Sequence, residues 1–271
     1  MRPAKDIGLG VPFREVLDRM LGYADIGAEI PFGAKPNYET AGWETVLRDL
    51  EPYPGLAAEI LDESALRGVE KETRRILRRT HDKNPRGAQW PADSVLARCC
   101  YLVCRLIRPS IVVETGVAHG VSSAFILTAL EQNGHGALHS VDLPPLRESH
   151  TASWGVAVPD ALKARWVLHR GASARVLPGL LEELGTVDVF LHDSLHTHRN
   201  MRREFEVAWP QLRPGGILLA DDVERNRAFG ELQGRKPSLW RVVKDVEERP
   251  LYGRAAPIVF GVAMKRAEAR T

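Results

Sequence analysis

The sequence predicts an α/β protein built on a doubly wound, mostly parallel sheet, with a helical extension at its N-terminus. Three observations carry this. From Ala92 onward, short apolar runs alternate with helix-length segments in the order β-α-β-α-β-α-β-α-β, the pattern of a parallel sheet with crossover helices on both faces. Several of the runs stop abruptly at acids or glycines, as strands do where they leave the carboxyl edge of such a sheet. Residues 1 to 90 lack the alternation and read as helices between Gly- and Pro-containing stretches. The expected division is therefore a helical extension over residues 1–90, acting as a lid or an oligomer contact, and an α/β domain over residues 91–271.

The bulk numbers narrow the partners. With 271 residues the chain can bury a substantial core. Its 37 Lys and Arg nearly balance 35 Asp and Glu, which gives no electrostatic reason to expect nucleic acid or an anionic membrane. No signal peptide and no membrane-spanning apolar run is legible. Cys99, Cys100 and Cys104 share one helix without a zinc-like spacing, and read as small buried hydrophobes. The expected setting is a reducing cytoplasm.

In chain order, Phe13 to Leu21 is amphipathic, and Gly22 to Asn37 is rich in Gly and Pro. Short helices are expected over Trp43 to Leu50 and Gly55 to Leu61, and a basic helix over Leu66 to Arg79, read as a solvated face with Glu–Arg pairing. Asn84 to Pro91 is a linker. Ala92 to Ile107 is an apolar helix, Ser110 to Val113 a buried strand, and Val121 to Gln132 a helix. Ala137 to Val141 is a second strand ending at Asp142. The long loop Leu143 to Pro159 has lid length. A short helix, a strand (Trp166 to His169) and a helix from Ser173 to about Leu184 follow. Pro237 to Glu248 is expected to be helical, and Ile258 to Met264 to be the last strand.

Two stretches carry chemistry. Val187 to Leu191 is an apolar run that meets His192, Asp193, Ser194 and His196. A helix follows, with Phe205, Ala208, Trp209 and Leu212 at core spacing. A Pro-Gly-Gly turn then leads to the run Ile217 to Ala220 and the pair Asp221–Asp222. Neighbouring parallel strands joined by one crossover helix end on the same edge, so Asp193, Asp221 and Asp222 should converge. Three close carboxylates repel one another unless a cation joins them or some take up protons, and a hard divalent ion such as Mg2+ fits. The second stretch is the turn Glu114-Thr-Gly-Val-Ala-His-Gly120, between a strand and a helix opened by Ser122 and Ser123. Its spacing matches neither the dinucleotide fingerprint nor a P-loop. An acid before the first glycine suits a ligand with a cationic group, and Asp142 is placed for ribose hydroxyls.

The run VVETGVAHG, then HSVD, HRGASARVLPGL, DVFLHDSLHTH and LRPGGILLADD resembles the class I S-adenosylmethionine-dependent methyltransferases. The nearest branch holds catechol-type and macrolide-sugar O-methyltransferases and methyltransferase family 24. The likeness spans about Ala92 to Arg266, implies the Rossmann-like sheet of that class, and leaves residues 1–90 unmatched. It implies that Glu114, Gly116, Val117 and Gly120, assisted by Ser122, contact the methionine part of S-adenosylmethionine, with Asp142 on the ribose. Ala172 and Ser173 would border the adenine, His192 would pack near it, and Asp193 would lie beside the donor. Asp193, Asp221 and Asp222 align with the metal ligands of the metal-dependent branch.

The expected chemistry is methyl transfer to a hydroxyl of a small metabolite, a sugar or natural-product intermediate. A divalent cation would lower the hydroxyl's pKa, and His196 would act as general base with Asp193 beside it. Asn226, Arg227 and Phe229 are placed to line the acceptor pocket, and Trp154 to cover substrate or cofactor or to anchor its loop. Two alternatives stay open: a metal-independent N- or C-methyltransferase on the same fold, and a non-catalytic subunit that binds the donor. A homo-oligomer is expected from the helical extension.

Overall fold

The computed structural model describes residues 13–29, 36–83, 94–144, 153–246, 251 and 257–267. The linker at 84–91 lies outside them, as does the middle of the loop Leu143 to Pro159.

The helices and strands run as α1 (Phe13–Glu29), β1 (Thr40–Ala41), α2 (Trp43–Leu50), α3 (Leu56–Leu61), α4 (Ser64–Lys83), α5 (Ser94–Ile107), β2 (Ile111–Thr115) and α6 (Val121–Asn133). Then come β3 (Ala137–Asp142), β4 (Trp166–Arg170), α7 (Ser173–Leu184), β5 (Val187–His192), α8 (His198–Gln211), β6 (Leu212–Asp221), α9 (Ala228–Glu231), β7 (Leu239–Val246) and β8 (Pro257–Met264). The strands form a single sheet in the order β1-β7-β8-β6-β5-β2-β3-β4. Only β8 runs antiparallel to its neighbours. The sheet is doubly wound and mostly parallel, as the alternation predicts.

Alternation along each central strand divides the core between two faces. Val112, Val189, Leu191, Ile217, Leu219 and Val262 join one cluster, with α2 to α6. Val113, Phe190, Leu218, Ala220 and Ala263 join the other, with α7 and α8. A strand covered on both faces must be apolar at consecutive positions, and the runs VFL (189–191) and ILLA (217–220) are. Helix α6 is buried nearly all round, with Ala124, Phe125 and Leu127 fully inside, and it stops at Gly134 in the left-handed region, φ 76°.

Residues before 90 are built into this core. Val46, Leu50, Ala57, Ile60, Leu66, Val69 and Leu77 pack in the first cluster, and β1 extends the sheet beside β7. Helix α1 instead lies over the carboxyl edge. Its Asp18 accepts the Ala172 N–H at 3.2 Å and pairs with Arg175 at 2.6 Å. Its Asp25 pairs with Arg199 at 3.1 Å, and its Glu29 accepts the His198 N–H at 2.7 Å.

One element is corrected. Pro237 to Glu248 was expected to be helical, but Leu239–Val246 is strand β7. It is hydrogen-bonded to β8 along its length and to β1 at Val242 and Val243. Pairing on both sides and burial of the two β-branched valines override the local helical pattern. The Pro-Gly-Gly turn proves to be an irregularity inside β6: Leu212 pairs with Val187 and Ile217 with Val189, so the residues between bulge out opposite Asp188.

Candidate active site

Strands β2 and β5 lie side by side, and their ends meet directly. Thr115 O accepts the Asp193 N–H at 2.9 Å. Gly116 follows at φ +85°, and a Cβ there would stand 1.9 Å from the Asp193 carbonyl oxygen. The first glycine of the turn is thus dictated by the backbone of the acid edge as well as by its own left-handed conformation. Gly120 closes the turn at φ +78°, donating to Val117 O.

The acids of this half are deeply engaged. Glu114 is fully buried and accepts hydroxyl hydrogen bonds from Ser122 (2.6 Å), Ser123 (2.6 Å) and Ser140 (2.7 Å). Burial outweighs these donors and raises its pKa. Its carboxyl therefore organises the turn from below, and Ser122 is spent on it. Asp142 accepts N–H bonds from Val117 (3.1 Å), Ala118 (3.2 Å) and Leu143 (2.8 Å). The Trp154 indole N–H adds a fourth at 2.7 Å. Burial raises this acid also, against those donors. Trp154, which lies under Arg170 at 5.4 Å, thus sits on the acid expected to meet the ribose. Ala172 and Ser173 open α7, and the Ala172 N–H points at Asp18 of α1.

At the acid edge one imidazole stands among three carboxylates. His196 Nε2 is 3.7 Å from Asp193 and 3.8 Å from Asp221, and its Nδ1 is 3.5 Å from Asp222. Asp193, His196 and Asp221 each offer a ligand atom, all within 4.8 Å of one another. The Nε2 is buried and has no hydrogen-bond partner among the described residues. Burial, reinforced by His192 and Arg225, pulls the ring down to about 3, so at neutral pH it carries a lone pair. Two carboxylates and a neutral imidazole suit a divalent cation. Asp222, in the left-handed region at φ 53°, stands apart from that trio and pairs with Arg225 at 2.7 Å. Asp193 and Asp221 come together as topology leads one to expect, with His196 rather than Asp222 as the third member of the set.

His192, expected near the adenine, is tied to a buried acid of α8. It is fully buried, its Nδ1 2.6 Å from Glu204 and its ring edge-on to His196 with centroids 5.4 Å apart. Glu204 escaped the sequence reading. It lies on the buried stripe of α8 with Met201, Phe205 and Ala208, and an acid on such a stripe was the available signal. Burial would raise Glu204, but His192 and the Ser173 and Thr115 hydroxyls hold it at about 2. Asn226 and Phe229, expected at an acceptor pocket, are buried instead: Asn226 donates to His196 O at 3.1 Å, and Phe229 stacks on Trp240 at 5.2 Å.

A sheet with one reversed strand, a glycine turn after a central strand and acids at the next two strand ends define a class I methyltransferase fold. Residues 113–223 match the family model described as a methyltransferase domain, methyltransferase family 24. No curated protein matches the chain. Among solved structures, the O-methyltransferase TomG from Streptomyces achromogenes, involved in tomaymycin synthesis and bound to SAM, is similar with TM-score 0.53 and 17% identity, over 76% of this chain and 91% of that one. An O-methyltransferase from Bacillus cereus in complex with SAH is similar with TM-score 0.53 and 13% identity, over 81% and 100%.

Proposed function

We propose that the chain transfers a methyl group from S-adenosylmethionine to a hydroxyl of a small metabolite, a sugar or natural-product intermediate, with a divalent cation held by Asp193, His196 and Asp221. The observation that carries this is the junction of the donor turn with the acid edge: the Asp193 carbonyl lies against Gly116, and its side chain belongs to the Asp–His–Asp trio. The donor supplies an electrophilic methyl carbon, and the cation a Lewis acid that lowers the acceptor's pKa.

The protein's work is placement. The Gly116 to Gly120 turn holds the donor, and Asp193 ties that turn to the acceptor edge. Asp222 Oδ2 lies 3.5 Å from the second ring nitrogen of His196, on the side where a carboxylate commonly stands behind a ligating histidine. His196 serves better here as ligand than as base, because one nitrogen cannot do both and a ring held at about 3 is a weak base at neutrality. In the transfer a C–O bond forms as the S–C bond breaks. The hydroxyl proton is released to water, leaving a methyl ether and S-adenosylhomocysteine.

The test is S-adenosylhomocysteine release over a panel of catechol, sugar and macrolide hydroxyl acceptors, before and after EDTA. Turnover lost with EDTA and restored by Mg2+ is expected. Unchanged turnover would favour the metal-independent N- or C-methyltransferase, with the acids orienting an amine.

A further inference from the structure

We infer that Glu204 is a positioning residue that couples occupancy of the donor turn to occupancy of the acid edge. The inference rests on the methyltransferase reading above and assigns a role to a buried group outside the proposed ligand set.

One carboxylate collects four parts of the chain. It meets Thr115 Oγ at the end of β2 (2.6 Å) and His192 Nδ1 at the end of β5 (2.6 Å). It also meets Ser194 Oγ in the following loop (2.7 Å) and Asn200 Nδ2 in the first turn of α8 (3.0 Å). A carboxylate has about four acceptor positions, and these four donors share them with the Ser173 hydroxyl. Glu204 is 1% exposed, so water does not compete for them.

The consequence lies in which residues these are. Thr115 immediately precedes Gly116, and its carbonyl holds the Asp193 N–H. His192 and Ser194 flank Asp193 on either side. Asn200 also donates to Leu195 O at 3.0 Å, next to His196. The same two oxygens therefore fix the residue before the donor glycine and both neighbours of the acid. When a ligand settles the turn, the clamp transmits that setting to Asp193 and His196; a coupling of this kind is reciprocal.

Replacement by glutamine keeps the shape but exchanges one accepting oxygen for an NH2 group. Either the Thr115 hydroxyl and the His192 ring must reverse from donating to accepting, or the Ser194 hydroxyl must and the Asn200 amide loses its acceptor. A clamp that served stability alone would lower the melting midpoint and leave any coupling intact.

The test uses the full chain, with S-adenosylhomocysteine titrated by calorimetry with and without Mn2+. In the wild type Mn2+ should tighten S-adenosylhomocysteine at least about fivefold. Glu204→Gln should bind S-adenosylhomocysteine alone within about twofold of wild type and lose the Mn2+ enhancement. If Glu204→Gln fails to fold, Thr115→Val cuts only the β2 limb and should lose the enhancement likewise. A variant that keeps the enhancement, or a wild type that shows none, overturns the coupling. A wild type that does not bind S-adenosylhomocysteine overturns the methyltransferase reading instead.

Discussion

The donor half and the acid edge are built on opposite electrostatic plans. Beneath the glycine turn, Glu114 receives three hydroxyls, and Asp142 three backbone N–H groups and an indole. At the acid edge, on the same sheet rim, three carboxylates crowd one neutral imidazole whose Nε2 accepts no hydrogen bond among the described residues. The first arrangement holds a backbone in shape; the second gathers charge where we propose a cation binds. Substitutions in the donor half should therefore cost stability, and those at the acid edge should cost binding.

The largest effect is expected at the seam. Gly116→Ala places a Cβ 1.9 Å from the Asp193 carbonyl in a left-handed conformation. It should destabilise the fold by at least about 3 kcal/mol in denaturant unfolding. Glu114→Leu should cost about 3 kcal/mol, since Ser122, Ser123 and Ser140 would lose their acceptor inside the core. Asp221→Asn should do the reverse: Mn2+ affinity read by electron paramagnetic resonance falls at least about tenfold, while the melting midpoint without metal holds or rises as repulsion is relieved. Equal stability losses in the two halves would break the contrast.

Acid titration sharpens it. Glu204 titrates at about 2 in the folded protein against an ordinary 4.5. A depressed carboxylate contributes stability that is complete above the ordinary value and lost as pH falls through the folded one. The wild type should thus weaken between about pH 4.5 and pH 2, and Glu204→Gln should flatten that limb of the stability curve. Glu114 and Asp142 are raised, so their contribution has the opposite sign and is lost as pH rises through their folded values. The smallest change is expected for Trp154→Phe, which removes one of four donors to Asp142 and should cost about 1 kcal/mol.

Legibility in the sequence followed the same division. The acid edge could be read because it is made by topology: consecutive apolar runs and one crossover helix bring Asp193 to Asp221 whatever the side chains between them do. Strand β7 could not, because Leu239, Trp240, Val242 and Val243 form a strand only with β8 and β1 on either side. The inward turn of Glu114 was hidden for a related reason. An acid before a glycine suggests a ligand, but Ser140, which helps to satisfy it, sits 26 residues away on another strand. Glu204 was concealed among the charges of α8, and only burial distinguishes it from Glu206 just over half a turn further on, an exposed partner of Arg202.

The decisive question is whether the Asp–His–Asp trio beside the donor turn takes a cation. Anomalous diffraction from crystals grown with Mn2+ and S-adenosylhomocysteine measures this directly. The prediction is a peak bonded to Asp193, His196 and Asp221, with the ligand on the Gly116 to Gly120 turn. A bound ligand with no peak at that trio, or a peak held by other residues, would contradict it.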